Sequence, residues 1–298
     1  MEFIPAKTIL QKSTYGNRWF GIDYNMNLYK GCPHGCIYCD SRSDCYRIEN
    51  FDTVRAKANA IEILTRELQT KRQKGVIGIG AMSDTYNPFE KQYEITRKAL
   101  ALIQKYGFGV SVETKSSLMV RDIDLFAEIN ERQNVILKFT ITTASDNLSR
   151  IIEPHACLSS ERFKAMKQLS DKGLFTGVLL TPIIPFITDT EENIKQIVRL
   201  SYENGAKFVW SMGGVTLRAN QRIYFYDKLD RHFPGLKSRY VNTFANNYVC
   251  NSLNKNLVNT IKVECNKYGL FYKMSDIIKA YKQKNLHFEQ LDLFTIRK

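Results

Sequence analysis

Residues 76–142 read VIGIGAMSDTYNPFEKQYEITRKALALIQKYGFGVSVETKSSLMVRDIDLFAEINERQNVILKFTIT, and this stretch decides the fold. Short apolar runs alternate in it with amphipathic segments: the runs cover 76–82, 108–113 and 135–142, the segments 90–106 and 121–131. Such runs suit strands buried on both faces, whereas apolar residues at helical spacing predict helices that cover those strands. The stretch therefore predicts consecutive β/α units around a parallel sheet.

The same alternation continues on both sides of this stretch. A strand at 22–28 and a helix at 56–74 come before it, and a helix at 159–172, a strand at 174–181, a helix at 190–203 and a strand at 206–211 follow. Units of about 30 residues with crossovers of one hand predict an α/β fold, a partial (β/α)6 TIM-type barrel. An open doubly wound sheet is the competing architecture, which the strand pattern alone does not exclude.

Beyond Gly213 and Gly214 the pattern becomes mostly helical, with helices predicted at 219–230, 236–247, 252–267 and 274–284. We therefore predict a barrel domain over 1–212 and a basic, mostly helical extension over 213–298 that packs on the barrel. The net charge of the 298 residues is +13, and residues 206–298 hold 16 Lys and Arg against 6 Asp and Glu.

Aromatic residues such as Tyr224 and Tyr248 are interleaved with this basic sequence. Basic and aromatic residues together are typical of surfaces that follow a phosphate backbone and stack bases. The alternative is a solvated basic surface above an aromatic core, because net charge describes association and not a particular binding site.

Composition also bears on the compartment. No apolar run approaches the roughly 20 residues needed to span a bilayer, and the first 20 residues show no apolar signal segment. The seven cysteines form one tight group and four scattered members, unlike the disulfide framework of a small secreted domain. We therefore expect a cytoplasmic protein without a membrane partner.

The tight cysteine group is the strongest chemical signal. Residues 29–40 read YKGCPHGCIYCD and place Cys32, Cys36 and Cys39 in a loop, 30–42, after the first predicted strand. Thiolate ligands suit zinc or an iron–sulfur cluster. Structural zinc commonly uses four ligands in paired C-x2-C groups, and no second pair is present. Three ligands to a four-iron cube would instead leave one iron open.

C-x3-C-x2-C with an aromatic residue before the last cysteine resembles the signature of the radical S-adenosylmethionine (SAM) superfamily. The resemblance implies a [4Fe-4S] cluster on these cysteines, with SAM bound at the open iron and Tyr38 placed against the adenine. It also implies an enzyme that reductively cleaves SAM to a 5′-deoxyadenosyl radical, which abstracts hydrogen from a substrate. An electron donor such as flavodoxin or ferredoxin is the partner this chemistry implies, and the oligomeric state stays open.

Residues 15–205 look like the spore photoproduct lyase-like branch, related to DNA repair photolyases, through GAMSDTYNPFE, ETKSSLMVRDIDLF and GVLLTPIIPF. By this likeness Ser83, followed by Asp84, would contact the methionine end of SAM, Lys115 its carboxylate, and Thr140 the ribose. Each has a simpler explanation: a turn and helix cap at 83–84, a solvated lysine, and a strand residue of high β propensity.

Two departures from that branch affect the substrate. Ala81 stands where the lyase has its hydrogen-donating cysteine, and Asp40 stands where it has a catalytic tyrosine. Reversal of a thymine lesion in the lyase's manner is therefore not expected. A nucleic acid base is one expected substrate, and a peptide, protein or small metabolite is the alternative. A third possibility is a non-catalytic nucleic-acid-binding protein with a structural metal loop.

The remaining cysteines give weaker signals. Cys157, Cys250 and Cys265 lack the compact spacing of a second cluster, so we predict none there. Cys45 follows the cysteine loop closely and is an alternative hydrogen donor.

Overall fold

The computed structural model describes residues 1–14 and 18–282, and its centre is a seven-stranded sheet. Six strands are parallel: β1 Tyr24–Met26, β2 Val76–Ile79, β3 Gly109–Thr114, β4 Val135–Thr140, β5 Thr176–Leu180 and β6 Phe208–Ser211. They lie side by side in chain order, and the short strand Leu10–Lys12 pairs antiparallel with β1 at the edge. A doubly wound sheet reverses its strand order, so the unbroken order confirms the partial-barrel prediction.

Five main helices connect the strands: α1 Ala60–Thr70, α2 Ile95–Lys105, α3 Ile123–Arg132, α4 Ser159–Asp171 and α5 Glu191–Glu203. Side chains of β4 alternate between the two faces of the sheet. Val135, Leu137 and Phe139 belong to the large core under the helices, whereas Ile136 belongs to a second cluster inside the barrel. That inner cluster includes Phe20 and Phe208 and closes the end of the barrel where the strands begin.

The first crossover differs from its sequence prediction. The helix predicted at 56–74 begins only at Ala60, because Arg55–Lys57 is a strand. This strand pairs antiparallel with Tyr29–Lys30 and parallel with Glu2–Ile4 in a separate three-stranded sheet. The cysteine loop leaves this small sheet and continues into the 3-10 helices Asp40–Arg42 and Asp44–Tyr46. Further short helices are Glu90–Tyr93, the 3-10 helix Ser117–Asp122, and Asp146–Ile152.

The C-terminal part contains helices α6 Ala219–His232, α7 Leu236–Phe244, α8 Leu257–Lys267 and α9 Met274–Lys282. The helices predicted at 236–247 and 252–267 are shorter in the structure, since the first ends at Phe244 and the second begins at Leu257. Between them, Val249–Cys250 forms a short strand that pairs with Val215–Thr216. The last two residues of the helix predicted at 274–284 lie outside the described residues, as does the rest of the chain to residue 298.

These helices contact the barrel at three places. Ile261 of α8 shares the main core with Ile197 of α5, and Ile277 of α9 joins the inner barrel cluster. Phe225 of α6 packs in a third cluster with Tyr38 of the cysteine loop. The division at residue 212 stays a prediction. Within the described residues, no helix has the length and apolarity needed to cross a membrane.

Candidate functional site

The cysteine loop is held by backbone hydrogen bonds to two neighbouring segments. The amide of Cys32 donates to the carbonyl of Phe51 at 2.8 Å, and the amide of Ile37 donates to the carbonyl of Ile152 at 2.9 Å. Gly31 has φ 77°, and a Cβ there would lie 2.3 Å from the carbonyl oxygen of Thr53. Only glycine suits this close approach, so the residue before the first cysteine is fixed by the fold.

Buried tyrosine–glutamate–arginine groups anchor both ends of the loop. At its start, the Tyr29 hydroxyl donates to Glu90, which pairs with Arg121 at 3.0 Å. Near its end, the Tyr38 hydroxyl donates to Glu153. The Glu153 carboxylate in turn pairs with Arg162 at 2.5 Å.

The three loop cysteines line one cavity of about 110 Å³ where β2, β3 and β4 end. The other residues lining it are His34, Ser41, Phe51, Gly80, Ala81, Met82, Ser83, Asp84, Glu113, Thr114, Lys115 and Thr140. The residues that the family likeness singled out, Ser83, Asp84, Lys115 and Thr140, therefore line the same cavity as the cysteines. A site at the carboxyl ends of barrel strands is where such folds place their chemistry.

Cys36 is buried, and Cys32 and Cys39 are partly buried. Burial raises the pKa of Cys32 to about 12 and also raises the pKa values of Cys36 and Cys39. The nearby Lys115 charge acts in the opposite direction on Cys36 and Cys39. A bound cation deprotonates a coordinating thiol outright, so these groups are suited to ligation more than to free nucleophilic chemistry.

The donor set fits an iron–sulfur cluster. In the described part of the chain, no three His, Cys, Asp or Glu side chains are placed to hold one metal ion together. A four-iron cluster makes no such demand, because each thiolate binds a different iron. Cys32, Cys36 and Cys39 would be its protein ligands.

Asp84 lies inside the protein wall of the cavity and is saturated with contacts. Its carboxylate accepts from the Thr114 hydroxyl at 2.6 Å, the Lys115 amide at 2.8 Å and the Tyr86 amide at 2.9 Å. His34 Nδ1 lies 3.4 Å from it. The carboxylate thus holds the end of β3 in place, a positioning role that the sequence did not distinguish from ligand binding.

Lys115 carries the main positive charge of the cavity. Burial by itself lowers the pKa of this lysine, but the charges of Cys36 and Glu153 outweigh that effect and the pKa is raised. Its Nζ lies 5.7 Å from the centroid of the Tyr38 ring. The structure therefore places a protonated, partly exposed amine on the wall of the cavity beside the cysteine loop.

Ser83 and Thr140 both line the cavity. The Ser83 hydroxyl donates to the Gly31 carbonyl, which ties β2 to the cysteine loop and leaves the oxygen lone pairs available. Thr140 ends β4, where its carbonyl accepts from Arg162 Nη1 at 2.9 Å. Both side chains are accessible to a ligand in the cavity.

Glu113, an inward-facing carboxylate on β3, was not predicted from the sequence. Its Oε2 is buried without a hydrogen bond and lies 3.4 Å from Nζ of the buried Lys138. Lys138 donates to Ser111 at 2.9 Å. The signal was present in the sequence, because acidic and basic residues at inward positions of two neighbouring buried strands require a reason to be there.

Ala81 and Asp40, the two residues at which the chain departs from the spore photoproduct lyase-like pattern, lie in different surroundings. Ala81 lines the cavity, whereas Asp40 accepts hydrogen bonds from Tyr46 at 2.6 Å and Thr216 at 2.7 Å. Cys45 is exposed, outside the set of residues lining the cavity, and its sulfur accepts from Arg218 at 2.9 Å. The prediction of Cys45 as an alternative hydrogen donor gains no support from this position.

The family model of the radical SAM superfamily matches residues 26–201. The match covers more than half of the chain, so the chain belongs to the radical SAM superfamily and is an enzyme. Members of this superfamily generally use SAM and an iron–sulfur cluster together with a reductant. The alternative of a non-catalytic protein with a structural metal loop is therefore set aside.

Two uncharacterised relatives match a large part of the chain. An uncharacterised protein of Methanocaldococcus jannaschii is 33% identical over 171 residues, 57% of this chain and 64% of the relative. One of Mycobacterium tuberculosis is 28% identical over 224 residues, 73% of this chain and 66% of the relative. The chain thus matches just under two thirds of the length of these relatives.

Spore photoproduct lyase has a similar structure. A tyrosine-to-phenylalanine variant of it gives a TM-score of 0.68 at 13% identity, over 91% of this chain and 82% of that one. The lyase complexed with dinucleoside spore photoproduct gives 0.66 at 12% identity, over the same shares. At this level of identity the likeness establishes a shared fold.

Proposed function

We propose that this radical SAM enzyme holds a [4Fe-4S] cluster on Cys32, Cys36 and Cys39 and binds SAM beside it. The observation that carries the proposal is that three thiols and the Lys115 ammonium line the same cavity at the carboxyl ends of the strands. Bound together, the cluster and SAM supply the 5′-deoxyadenosyl radical that abstracts hydrogen from a substrate.

The chain's own residues bind and orient SAM in this proposal. Lys115 makes a charge-assisted contact with the SAM carboxylate, and the free lone pairs of Ser83 accept from its amino group. Thr140 contacts the ribose from β4, and the backbone of Tyr38 lies against the adenine. Asp84 acts indirectly, because its oxygens hold the backbone of Lys115.

Anaerobic reconstitution with iron and sulfide, followed by SAM and dithionite, tests this chemistry. Wild-type protein is expected to release 5′-deoxyadenosine and methionine, and Cys36→Ala is expected to lose both the cluster and this product. Cys265→Ala is the matched control, since Cys265 is also buried but lies on α8 and packs in the main core. Failure of the loaded wild-type protein to form 5′-deoxyadenosine would overturn the proposal.

The proposed substrate is a base within a nucleic acid strand. The support is an arginine–tyrosine rim beside the cysteine loop, formed by Arg42, Tyr46, Arg218, Tyr224, Lys228 and Tyr248. The Arg42 guanidinium lies 3.8 Å from the centroid of the Tyr224 ring, and that of Arg218 lies 4.8 Å from the centroid of the Tyr248 ring. Basic groups next to aromatic faces are the means by which single strands are bound.

Carboxylates moderate the charge of this rim. Asp52 pairs with Arg42 at 2.5 Å, and Asp40 lies 3.3 Å from Arg218. Lys228 Nζ lies 5.1 Å from the centroid of the Tyr224 ring, one turn along the same face of α6. Lys228 and the exposed Tyr248 are therefore the residues whose replacement should weaken strand binding with least effect on the cysteine loop.

Binding of single-stranded oligonucleotides at several salt concentrations tests the substrate class. Lys228→Glu should reduce the log–log salt slope by about 0.7 or more, and Tyr248→Ala should weaken binding by about 1–3 kcal/mol. Lys98→Glu, on exposed α2, makes the same charge change away from the rim and should leave the affinity nearly unchanged. Wild-type protein without salt-sensitive binding would favour a peptide or metabolite substrate.

A further inference from the structure

A buried ion pair lies directly behind the cysteine loop. Glu153 and Arg162 have no exposed side-chain surface and meet at 2.5 Å. Burying two charges is costly unless the remaining donors and acceptors are also satisfied. Arg162 donates Nε to the Cys157 carbonyl at 2.8 Å and Nη1 to the Thr140 carbonyl at 2.9 Å, while Glu153 accepts from Tyr38.

The partners of this pair contact Lys115 from two directions. The Cys157 thiol donates to the Lys115 carbonyl at 3.0 Å. Because Arg162 binds the Cys157 carbonyl, it positions the Lys115 backbone through Cys157. The Tyr38 ring lies 5.7 Å from Nζ of Lys115, so Glu153 holds the ring on which the ammonium rests. Glu153 and Arg162 are thus connected through Tyr38 to the Lys115 side chain and through Cys157 to its backbone.

We propose that Glu153 and Arg162 are positioning residues that set the place of the Lys115 ammonium through Tyr38 and Cys157. The inference rests on the proposed function, because it assigns to Lys115 the binding of the SAM carboxylate. The charges support the geometry: Arg162 and Lys115 lower the pKa of Glu153 against the effect of burial, so it stays an anion near the lysine.

The other anchor of the cysteine loop provides a matched comparison. Glu90 is as buried as Glu153, accepts from a tyrosine hydroxyl and pairs with an arginine, but its partners Tyr29 and Arg121 do not contact Lys115. If both glutamates are purely structural, the effect of replacing either one on the Kd for SAM should not depend on Lys115. If Glu153 positions Lys115, the effect of replacing Glu153 should depend on whether Lys115 is present.

A double-mutant cycle on the cluster-loaded, oxidised protein separates the two roles, with SAM binding measured without reductant. Glu153→Gln should raise the Kd for SAM about 5-fold or more in the wild-type background. In the Lys115→Met background the same change should raise it less than about 2-fold, because the group it positions is gone. Glu90→Gln should have the same fold effect in both backgrounds.

Tyr38→Phe repeats the test with a smaller change, since it removes only the hydroxyl that Glu153 accepts. It should also weaken SAM binding in the wild-type background and not in Lys115→Met. Equal effects of Glu153→Gln or Tyr38→Phe in both backgrounds would overturn the inference. An unchanged Kd in Lys115→Met alone would also overturn it, whereas formation of 5′-deoxyadenosine by wild-type protein would still support the proposed function.

Discussion

Replacing Lys115 with methionine removes the positive charge of the ammonium from the cavity and leaves an unbranched side chain of similar length. The ammonium lines the cavity beside Tyr38, where bound SAM would take the place of water around it. A hydrogen bond to a charged group is worth about 1.5–3 kcal/mol, so the Kd for SAM should rise about 10- to 150-fold. Glu153 keeps its 2.5 Å partner Arg162 in this variant, so the loss should appear in binding and not in folding.

The pH dependence of SAM binding gives an independent check on the same residue. Because the pKa of Lys115 is raised above its ordinary value, the lysine is charged below that pKa and loses its charge only as the pH rises through it. Its contribution should therefore be constant from mildly acidic to mildly alkaline pH.

Equilibrium binding of SAM to cluster-loaded protein, with iron content measured in the same samples, is the assay. Lys98→Met, an exposed change on α2, is the control and should bind like wild type. A Kd for Lys115→Met within twofold of wild type, at equal iron content, would refute the assignment of the SAM carboxylate to this lysine.

Further outcomes follow from other buried and paired groups. Cys250→Ala and Cys265→Ala should retain about four irons per chain, and a higher wild-type count reduced by either change would contradict a single cluster. Glu90→Gln should lower the free energy of unfolding in urea by about 3 kcal/mol, because it breaks a buried ion pair; a change below about 1 kcal/mol would contradict this. Hydrogen bonding from Arg97 lowers the pKa of Asp124 to about 2, so stability present above the ordinary value of 3.8 is lost as the pH falls toward 2. Asp124→Asn should flatten that acid limb in thermal melts, and an unaltered limb would contradict the assignment.

The sequence predicts the barrel because its signals are local and periodic. Each parallel strand is a short apolar run, and glycines such as Gly107 and Gly173 mark where helices stop before the next strand. The strand order could not be read from periodicity, since barrel and doubly wound sheets use the same β/α units. The pairing of Arg55–Lys57 with Tyr29–Lys30 was missed because short pairings in loops carry almost no periodic signal.

The part of the candidate site that lies in a short sequence motif, the cysteine loop, could be predicted from the sequence. The cysteine spacing and the strand-end positions of Ser83 and Lys115 meet in one cavity, as expected. Glu113 and Arg162 were not anticipated, because their importance comes from partners far away in the chain. A buried charge becomes recognisable only when the fold shows what balances it.

The two tyrosine anchors, Tyr29 and Tyr38, affect how a cluster is assembled on the folded protein. Because Tyr29 and Tyr38 fasten both ends of the cysteine loop to buried carboxylates, the conformational entropy of the loop is lost when the barrel folds. Little ordering then remains for the moment at which iron and sulfide arrive. We therefore expect that the anchors would hold the loop in place if a cluster were lost, so that assembly of a new cluster would not require the barrel to unfold.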